Sequence, residues 1–342
     1  MDKRVKLTAP RSWMMPETHL DSVLNDRWYR IVFTLLANSS KLTNSFFNSQ
    51  NVQPALMPVT TGSISSPMGL GSDSSPVAIE MNGARTYLAD SMQFYLELAL
   101  RIGGKPVYYL MPSFRDEQSD ARHLNQFYHA EAEIEGSLED IQNLTEQYML
   151  HLARGLLHEC EDEIYATAGT ISHVESFIAR GAGFPRLTFD EAAKTLSSVK
   201  GALRPCETGD LLITSVGEAA LIAEYGDFIW LTHFPMSTVP FYQARDPNNR
   251  RNSLSADLLA GIGEILGLGE RARTGDDVIQ NIRAAEVNPS GYDWYIQMKT
   301  ASPIQTAGFG LGVERFLMWL TQSRDIRDWS LVPRDRQGRG PV

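Results

Sequence analysis

Apolar side chains recur at helical spacing along the first part of the chain, from Leu20 through Trp28, Ile31 and Leu35 to Phe47. A period of three to four residues over this length predicts a long amphipathic helix. Further helices are predicted over residues 91–102, 137–161, 190–197, 275–286 and 312–321.

Short apolar runs predict the strands. Two of them, 77–81 and 85–88, flank Asn82-Gly83, a dipeptide typical of a two-residue hairpin turn. Others are predicted over 107–114, 127–134, 228–232, 252–258 and 262–266, with a Gly-rich strand before the last helix. The sequence lacks the strand–helix–strand alternation of a parallel sheet, so it predicts an α+β fold with a mostly antiparallel sheet and helices packed on it.

Two segments lie between these elements. Residues 61–76 are rich in Ser, Gly and Pro and predict a loop of a length that often serves as a lid. Residues 165–225 give weaker signals, apart from a capping-box pattern at Thr188 and Glu191, and form a candidate insertion. The predicted organisation is an N-terminal extension over 1–20 and one large domain over 21–342.

The charge balance limits the partners that the surface can hold. A formal net charge of −10 disfavours a surface built mainly for nucleic acid, because phosphate binding requires clustered Lys and Arg. Cys160 and Cys206 belong to no C-x-x-C or His-rich motif, so neither a zinc site nor a disulfide framework is indicated. The N-terminus lacks the apolar core of a signal peptide, and no stretch approaches the roughly 18 apolar residues of a membrane span. These features predict a cytoplasmic protein with no membrane partner.

The first candidate chemistry is at Arg115 and Glu117, at the end of one predicted strand, and at Phe127 on the returning strand. Side chains two residues apart on a strand lie on the same face. Arg can bind a phosphate with two parallel hydrogen bonds, Glu can accept a hydrogen bond from an exocyclic amine, and Phe can stack on a base. This pattern is typical of a nucleotide site, although a surface ion pair beside a core Phe explains these residues equally well.

Asp257 and Glu264 lie on two neighbouring predicted strands. Carboxylates on adjacent strands can share a hard cation, and Mg²⁺ bound to nucleotide phosphates usually takes one or two protein carboxylates. Most such pairs are simply solvated, so a metal role here depends on the surrounding motifs.

The Gly-rich run from Gly308 to Gly312 matches neither the dinucleotide-binding fingerprint nor a P-loop. Alternate glycines in a strand let another group approach the backbone closely. Arg315, one turn into the next helix, would point towards that space; helix–sheet packing is the alternative. Arg271 lies an odd number of residues after Glu264, which on a regular strand places it on the opposite face, unless a bend at the glycines corrects this.

These motifs, in this order, resemble the class II aminoacyl-tRNA synthetases, and within them the aspartyl/asparaginyl subgroup. Residues 114–133 resemble the second signature motif and residues 308–315 the third. Residues 87–97 are similar to the amino-acid-binding helix of the subgroup, with Leu96 where asparaginyl enzymes carry leucine. Residues 56–58 look like the first motif, which forms the dimer interface in the family.

The resemblance implies an antiparallel sheet flanked by helices that holds ATP and Mg²⁺ and makes an acyl-adenylate. Carried over position by position, Arg115 and Arg315 are the implied catalytic residues. The implied nucleotide ligands are Arg115 for the α-phosphate, Glu117 and Phe127 for the adenine, and His123 and Arg315 for the outer phosphates. The implied Mg²⁺ ligands are Asp257 and Glu264, and the implied amino-acid ligands are Ser91, Gln93, Glu131 and Arg271.

The chain departs from the full-length synthetases at points that bear on function. Only about twenty residues precede the matching region, so no anticodon-binding barrel is expected. Thr306 stands where the family has a His, which changes the substrate pocket, and Gly71-Ser-Asp73 replaces the Glu-Gly-Gly of the lid. These departures are similar to those of stand-alone archaeal asparagine synthetase-related proteins.

That similarity implies an ATP-dependent, AMP-forming carbon–nitrogen ligase, and a homodimer. Such an enzyme would adenylate the carboxylate of aspartate or a related amino acid and transfer the acyl group to ammonia or another amine, without tRNA. The alternatives are the same chemistry on an unusual amino acid of specialised metabolism, asparaginyl-type aminoacylation of tRNA, and an inactive paralogue that serves as a binding or regulatory subunit.

Overall fold

A computed structural model describes residues 6–65 and 75–332. Most of the predicted lid, including Gly71-Ser-Asp73, lies outside the described residues. Within the described ranges, no helix combines the length and the apolar composition needed to cross a membrane.

The helices follow the predicted pattern, with one interruption. The predicted helix from Leu20 is divided at Asp26, whose extended backbone ends one helix and whose side chain accepts a hydrogen bond from the Trp28 N–H (2.7 Å) to begin the next. The bounds are α1 Pro16–Asn25, α2 Arg27–Ser49, α3 Gln93–Gly103, α4 Leu138–Ala168, α5 Ser172–Arg180, α6 Phe189–Leu196, α7 Ser215–Tyr225, α8 Gly275–Ala284, α9 Asp293–Ala301 and α10 Val313–Thr321. Short 3₁₀ helices cover Ser12–Met14, Met236–Thr238 and Ile326–Trp329.

The strands within residues 6–65 and 75–332 form one large sheet and two small ones. Their bounds are β1 Gln53–Pro54, β2 Thr60–Thr61, β3 Ala78–Met81, β4 Ala84–Leu88, β5 Val107–Phe114, β6 Gln126–Glu135, β7 Arg186–Thr188, β8 Leu203–Pro205, β9 Leu211–Ile213, β10 Ile229–Thr232, β11 Ser255–Ala260, β12 Gly263–Glu270 and β13 Thr306–Gly312. The large sheet has the order β1-β5-β6-β13-β12-β11-β10-β7, and only its two edge pairs, β1 with β5 and β7 with β10, are parallel. The predicted α+β fold with a mostly antiparallel sheet is confirmed.

The hairpin predicted at Asn82-Gly83 joins β3 to β4. Both residues have positive φ, 53° and 76°, as a turn that follows the right-handed twist of its strands requires. Glycine adopts this conformation without strain, and Asn tolerates it better than most residues.

One face of the large sheet carries the main hydrophobic core. Phe309 on β13 lies against Phe47 of α2 and Tyr148 of α4, with ring centroids 6.3 and 5.8 Å apart, and all three side chains are buried. Burying a ring of this size stabilises the fold by about 1.5–3 kcal/mol. With this face covered by helices, the opposite face of the central strands is the one left for ligands.

The candidate insertion at 165–225 contains α5, β7, α6, the β8–β9 hairpin and α7. The predicted capping box is present, because Thr188 Oγ1 accepts from the Glu191 N–H and the Glu191 carboxylate accepts from the Thr188 N–H. Its strand β7 pairs with β10, so part of the segment extends the main sheet. Its status as an insertion stays a prediction, as do the domain boundaries at residues 20 and 21.

Candidate active site

Glycines on adjacent strands form the floor of the site. Gly267 and Gly269 of β12 pair with Gly310 and Gly308 of β13. A Cβ atom on Gly308 would lie 1.9 Å from Glu133 Oε2, and one on Gly269 would lie 2.2 Å from Gln243 Oε1. Polar side chains therefore lie directly on the bare backbone, as the alternate glycines predict.

A β-bulge puts Arg271 on this face. Leu258 pairs with Leu266, but the next residue, Leu259, pairs with Glu264, so Ile265 is an extra residue in β12. The extra residue changes the alternation of side chains. Glu264 and Arg271 therefore reach the same face although an odd number of residues separates them. The bulge at Ile265 provides this correction, rather than the predicted bend at the glycines.

The two motif arginines line one cavity. Arg115 and Arg315, 200 residues apart in the sequence, both border it, and the Arg115 guanidinium lies over the Phe127 ring, 5.4 Å from its centroid. Arg315 donates to the Glu264 carbonyl oxygen at 2.7 Å. Burial lowers the pKa of Arg315; the Glu264 carboxylate opposes this shift, and the positive charges of Arg115 and Arg122 add to it. Three guanidinium groups thus converge where an anion would relieve their repulsion.

Glu117 and His123 border the same cavity. Asn125 Nδ2 donates to the Glu117 carbonyl oxygen at 2.5 Å, which fixes the loop after β5. His123 Nδ1 lies 3.0 Å from Asp120 Oδ1. The five predicted nucleotide ligands, Arg115, Glu117, His123, Phe127 and Arg315, therefore lie together.

A second cavity, of about 350 Å³, adjoins the first. Arg115, His129, Glu264 and Gly310 border both. The predicted amino-acid ligands that line the second cavity are Ser91, Gln93, Glu131 and Arg271. Its volume is that of a small-molecule site, and the shared wall would bring two ligands side by side.

Glu131 is held at the floor of the second cavity by several donors. Ser91 Oγ donates to Glu131 Oε2 at 2.6 Å, the Tyr109 hydroxyl donates to the same oxygen, and His129 Nδ1 lies 3.0 Å from Glu131 Oε1. The carboxylate is buried yet borders the cavity. This arrangement can bind an ammonium group.

Arg271 forms a buried ion pair with Glu133. Its Nε and Nη2 donate to the Glu133 carboxylate at 3.0–3.3 Å, and the two side chains are 2% and 0% exposed. Burial raises the pKa of Glu133 to about 7 although Arg271 opposes this shift, and the charge of Glu97 adds to it. Above pH 7, where Glu133 is ionised, the pair therefore presents little net positive charge to the cavity.

The structure does not place Thr306 at either cavity. Its side chain is fully buried, and its Oγ1 donates to Glu97 Oε2 at 3.0 Å. Glu97 also accepts from Lys299 and from the Tyr295 hydroxyl (2.5 Å). Burial alone would raise the pKa of Glu97, but Lys299, Arg101 and Arg271 hold it below its ordinary value. Thr306 supports a buried charge cluster behind the substrate wall.

Asp257 and Glu264 face the same point over Gly267. A Cβ atom on Gly267 would lie 3.4 Å from Glu264 Oε1 and 3.5 Å from Asp257 Oδ1. Burial raises the pKa of Asp257 well above its ordinary value, and the carboxylates of Glu264 and Glu218 raise it further. Residues 6–65 and 75–332 contain no group of three or more His, Cys, Asp or Glu side chains arranged to hold a metal ion. Two carboxylates without a complete protein cage suit Mg²⁺ that is bound mainly by phosphates.

Sequence reasoning missed several residues of the site. Tyr109 could have been predicted from the sequence, because it shares one face of the predicted strand with Val107 and Met111. Glu218 and Gln243 carried no local signal. Glu218 arrives on α7 and accepts from Arg122 at 2.6 Å, and Gln243 lies in a segment without a regular element.

Comparison with known sequences supports this geometry. Residues 17–336 match the family described as tRNA synthetases class II (D, K and N). The chain belongs to this family. It is 34% identical over 252 residues to the asparagine–tRNA ligase of Pyrococcus abyssi and 32% identical over 260 residues to that of Thermoplasma acidophilum. These matches cover 72% and 75% of this chain but only 56% and 59% of the relatives, so the chain spans less than two thirds of their length.

Solved structures place this class II synthetase domain in the same subgroup. The asparaginyl-tRNA synthetase of Pyrococcus horikoshii complexed with asparaginyl-adenylate superposes with a TM-score of 0.85 at 26% identity, over 96% of this chain and 73% of that one. The enzyme from Entamoeba histolytica gives a TM-score of 0.81 at 25% identity, over 98% and 74%. The predicted family and the aspartyl/asparaginyl subgroup are confirmed.

Two expectations about this synthetase domain are wrong. The relatives are named asparagine–tRNA ligases, and the solved structures are asparaginyl-tRNA synthetases, which overturns the expected transfer of an acyl group to ammonia or another amine. The same names overturn the expectation that tRNA is not a partner. That expectation rested partly on the net charge, which does not exclude a local surface for RNA.

We expect a pH-dependent stability from Glu314, which is buried in the synthetase domain and accepts at 3.1 Å from the Tyr128 N–H. Burial raises its pKa to about 7. A raised folded-state pKa means that stability is lost as pH rises from the unfolded value towards 7. Relative to Glu314→Gln, the wild type should lose about 2 kcal/mol of unfolding free energy between pH 5.5 and 8. Urea denaturation at both pH values measures this, and a constant difference would exclude it.

Gly308→Ala should destabilise the domain, because its Cβ would lie 1.9 Å from Glu133 Oε2 and 2.5 Å from the Ala132 carbonyl oxygen. The backbone oxygen cannot move aside like a flexible side chain, so we expect a loss of about 1–3 kcal/mol. Gly312→Ala is the matched control, since its Cβ meets no atom closer than 3.7 Å. Urea midpoints measure the effect, and equal losses in the two variants would contradict the proposed crowding.

Proposed function

We propose that the chain is the catalytic part of an asparagine–tRNA ligase. It would activate asparagine with ATP and then pass the asparaginyl group to tRNA. Support comes from relatives of that name at up to 34% identity over 72% of the chain. The observation that carries the proposal is the meeting of two cavities at Arg115, one bordered by the predicted nucleotide ligands and the other by the predicted amino-acid ligands.

The proposed first step joins the two ligands at the shared wall. The asparagine carboxylate attacks the α-phosphorus of ATP, a phosphorus–oxygen bond forms, and pyrophosphate leaves. Arg115 would neutralise the charge that develops on the α-phosphate, and Arg315 with His123 would hold the outer phosphates. Glu131 would bind the substrate ammonium group. Positioning and charge neutralisation then supply the catalysis, without a covalent protein intermediate.

In the proposed second step a terminal hydroxyl of tRNA attacks the carbonyl carbon of the adenylate. The carbon–oxygen bond to the phosphate breaks, and AMP leaves with the electron pair. Location in the cytoplasm belongs to the same proposal, since the Encephalitozoon cuniculi relative, 33% identical over 75% of this chain, is described as a probable cytoplasmic asparagine–tRNA ligase. A homodimer stays a prediction; Leu56 of the predicted interface motif is fully exposed in the single chain.

Mg²⁺ is the metal that the acidic pair would take. Asp257 and Glu264 would hold it over Gly267, where their mutual repulsion favours a cation, and the ion would neutralise charge on the phosphates. Gly267→Ala puts a methyl group at 3.4–3.5 Å from both carboxylates, an ordinary contact that lets the domain fold while filling the space between them. We expect the Mg²⁺ concentration for half-maximal activity to rise about tenfold, equivalent to roughly 1.4 kcal/mol.

The control for this prediction is Gly103→Ala, whose Cβ would meet Gln53 Oε1 at a similar 3.5 Å outside both cavities. It should leave the Mg²⁺ titration of activity unchanged. A normal Mg²⁺ requirement in Gly267→Ala would mean that Asp257 and Glu264 do not bind the metal ion.

The proposed function is tested by charging bulk tRNA with labelled asparagine, ATP and Mg²⁺, alongside asparagine-dependent ATP–pyrophosphate exchange. Exchange with acid-stable transfer of label to RNA supports both steps. Exchange without transfer would support the activation of asparagine and would exclude tRNA as the acceptor for this chain. If neither exchange nor transfer occurs with asparagine, the proposal is overturned.

A further inference from the structure

Gln243 is a buried polar side chain that the roles described above do not use. It is 6% exposed, it borders the amino-acid cavity, and its Oε1 is buried without a hydrogen-bond partner among the described residues. Leaving a buried amide oxygen without a donor destabilises the fold. The oxygen has almost no accessible surface where it lies over Gly269, so a ligand in the cavity would supply the missing donor after a small rotation of the side-chain amide.

The backbone holds Gln243 in place at that wall. Its carbonyl oxygen accepts from Asn281 Nδ2 at 3.0 Å, and its N–H donates to the Pro240 carbonyl oxygen at 3.2 Å. Its amide group lies over Gly269, where a Cβ would come within 2.2 Å of Oε1 and 3.0 Å of Nε2. The position of the amide therefore depends on a glycine in β12.

Gln243 stands directly opposite Arg271 in an antiparallel bridge. Partners in such a bridge project their side chains to the same side. Arg271 uses Nε and Nη2 for Glu133, which leaves Nη1 for a ligand. One end of the cavity therefore combines an unpaired amide acceptor with a guanidinium donor whose charge Glu133 already balances.

We propose that Gln243 determines specificity by accepting a hydrogen bond from the side-chain amide of the substrate, while Arg271 donates to the oxygen of the same amide. This deepens the proposed function and rests on it. A carboxamide supplies both groups that this end of the cavity needs. A carboxylate offers only acceptors, so it would set an oxygen against Gln243 Oε1, and it would add a negative charge beside the neutralised Arg271–Glu133 pair.

The test compares asparagine and aspartate in ATP–pyrophosphate exchange for the wild type and Gln243→Met, which keeps the side-chain volume. We expect the ratio of kcat/KM for asparagine to that for aspartate to fall about 10–100-fold, because a site that pairs with a substrate amide rejects an analogue that cannot pair. Gln243→Glu keeps an acceptor oxygen and should retain more of the asparagine activity than Gln243→Met.

The matched control is Gln142→Met. Gln142 is 3% exposed and has an unpaired amide nitrogen, but it lies on α4, outside both cavities. It should leave the substrate ratio unchanged, and thermal unfolding should show that both variants fold.

The outcomes separate the two proposals. If the wild type shows no asparagine-dependent exchange, the proposed function is overturned. An active wild type whose substrate ratio is the same in Gln243→Met, or which prefers aspartate, would overturn the role of Gln243 and leave adenylation in place. An equal loss for both substrates in Gln243→Met would indicate a merely structural residue and would also overturn it.

Discussion

Replacing Arg115 with Ala is expected to lower kcat for asparagine-dependent ATP–pyrophosphate exchange by about 10²–10³-fold. Arg115 borders both cavities, so its guanidinium is close to the place where the carboxylate and the α-phosphate would meet. Its Nε is buried without a partner among the described residues. Losing one prearranged donor at a developing oxyanion costs about 2.7–4 kcal/mol of transition-state stabilisation.

Two further variants sharpen this prediction. Arg115→Lys keeps the charge but loses the planar fork, so it should fall between the wild type and Arg115→Ala. Arg85→Ala is the control, because Arg85 also lies over an aromatic ring, Tyr87 at 5.7 Å, but on a hairpin outside both cavities. It should be fully active. A loss of less than tenfold in Arg115→Ala would mean that Arg115 does not contact the reacting atoms.

Arg271→Met is expected to lower the unfolding free energy by about 3–5 kcal/mol at pH 8. The variant removes the guanidinium that opposes the rise in the Glu133 pKa, so the buried carboxyl group must either take up a proton or carry an unpaired charge, and both cost more at higher pH. The pKa of Glu133 is raised to about 7, so its carboxyl group is largely protonated at pH 6 and the loss should be smaller there. Urea denaturation at both pH values measures the effect.

A double variant that removes both charges is a second test of the ion pair between Arg271 and Glu133. Arg271→Met with Glu133→Leu should recover much of the stability without recovering asparagine activation, because the substrate loses its donor. Arg327→Met is the control: Arg327 pairs with Asp325 at 2.7 Å but is 27% exposed, so its loss should be about 1 kcal/mol or less. Similar losses in Arg271→Met and Arg327→Met would mean that Arg271 is not paired as described.

The sequence was sufficient for the sheet and for the nucleotide side of the site. Short apolar runs on β5 and β6 and the Asn82-Gly83 turn are local signals, and they predict strands and a hairpin that the structure contains. The family resemblance assigned roles to Arg115 and Arg315, and the structure brings both to one cavity. These features are readable because short-range patterns or ordered motifs encode them.

The remaining features depend on contacts that a linear pattern does not contain. The extra residue at Ile265 decides which face Arg271 occupies, but a bulge has no signature in an apolar run. Thr306 was expected at the substrate and lies instead against Glu97, because α9 brings Lys299 and Tyr295 behind the sheet. The differences from the family at the substrate pocket led to the wrong prediction of ammonia or another amine as the acceptor. The relative that matches 72% of the chain is named an asparagine–tRNA ligase.

The most direct measurement is a crystal structure of the chain with asparagine and a non-hydrolysable ATP analogue. We expect Arg115 and Arg315 to bind phosphate oxygens of one nucleotide at about 2.7–2.9 Å, with the adenine on Phe127 and the asparagine carboxylate facing the α-phosphate. Arg315 would then share or leave its present contact with the Glu264 carbonyl oxygen. A nucleotide bound elsewhere, or one that touches only one of these arginines, would contradict the account.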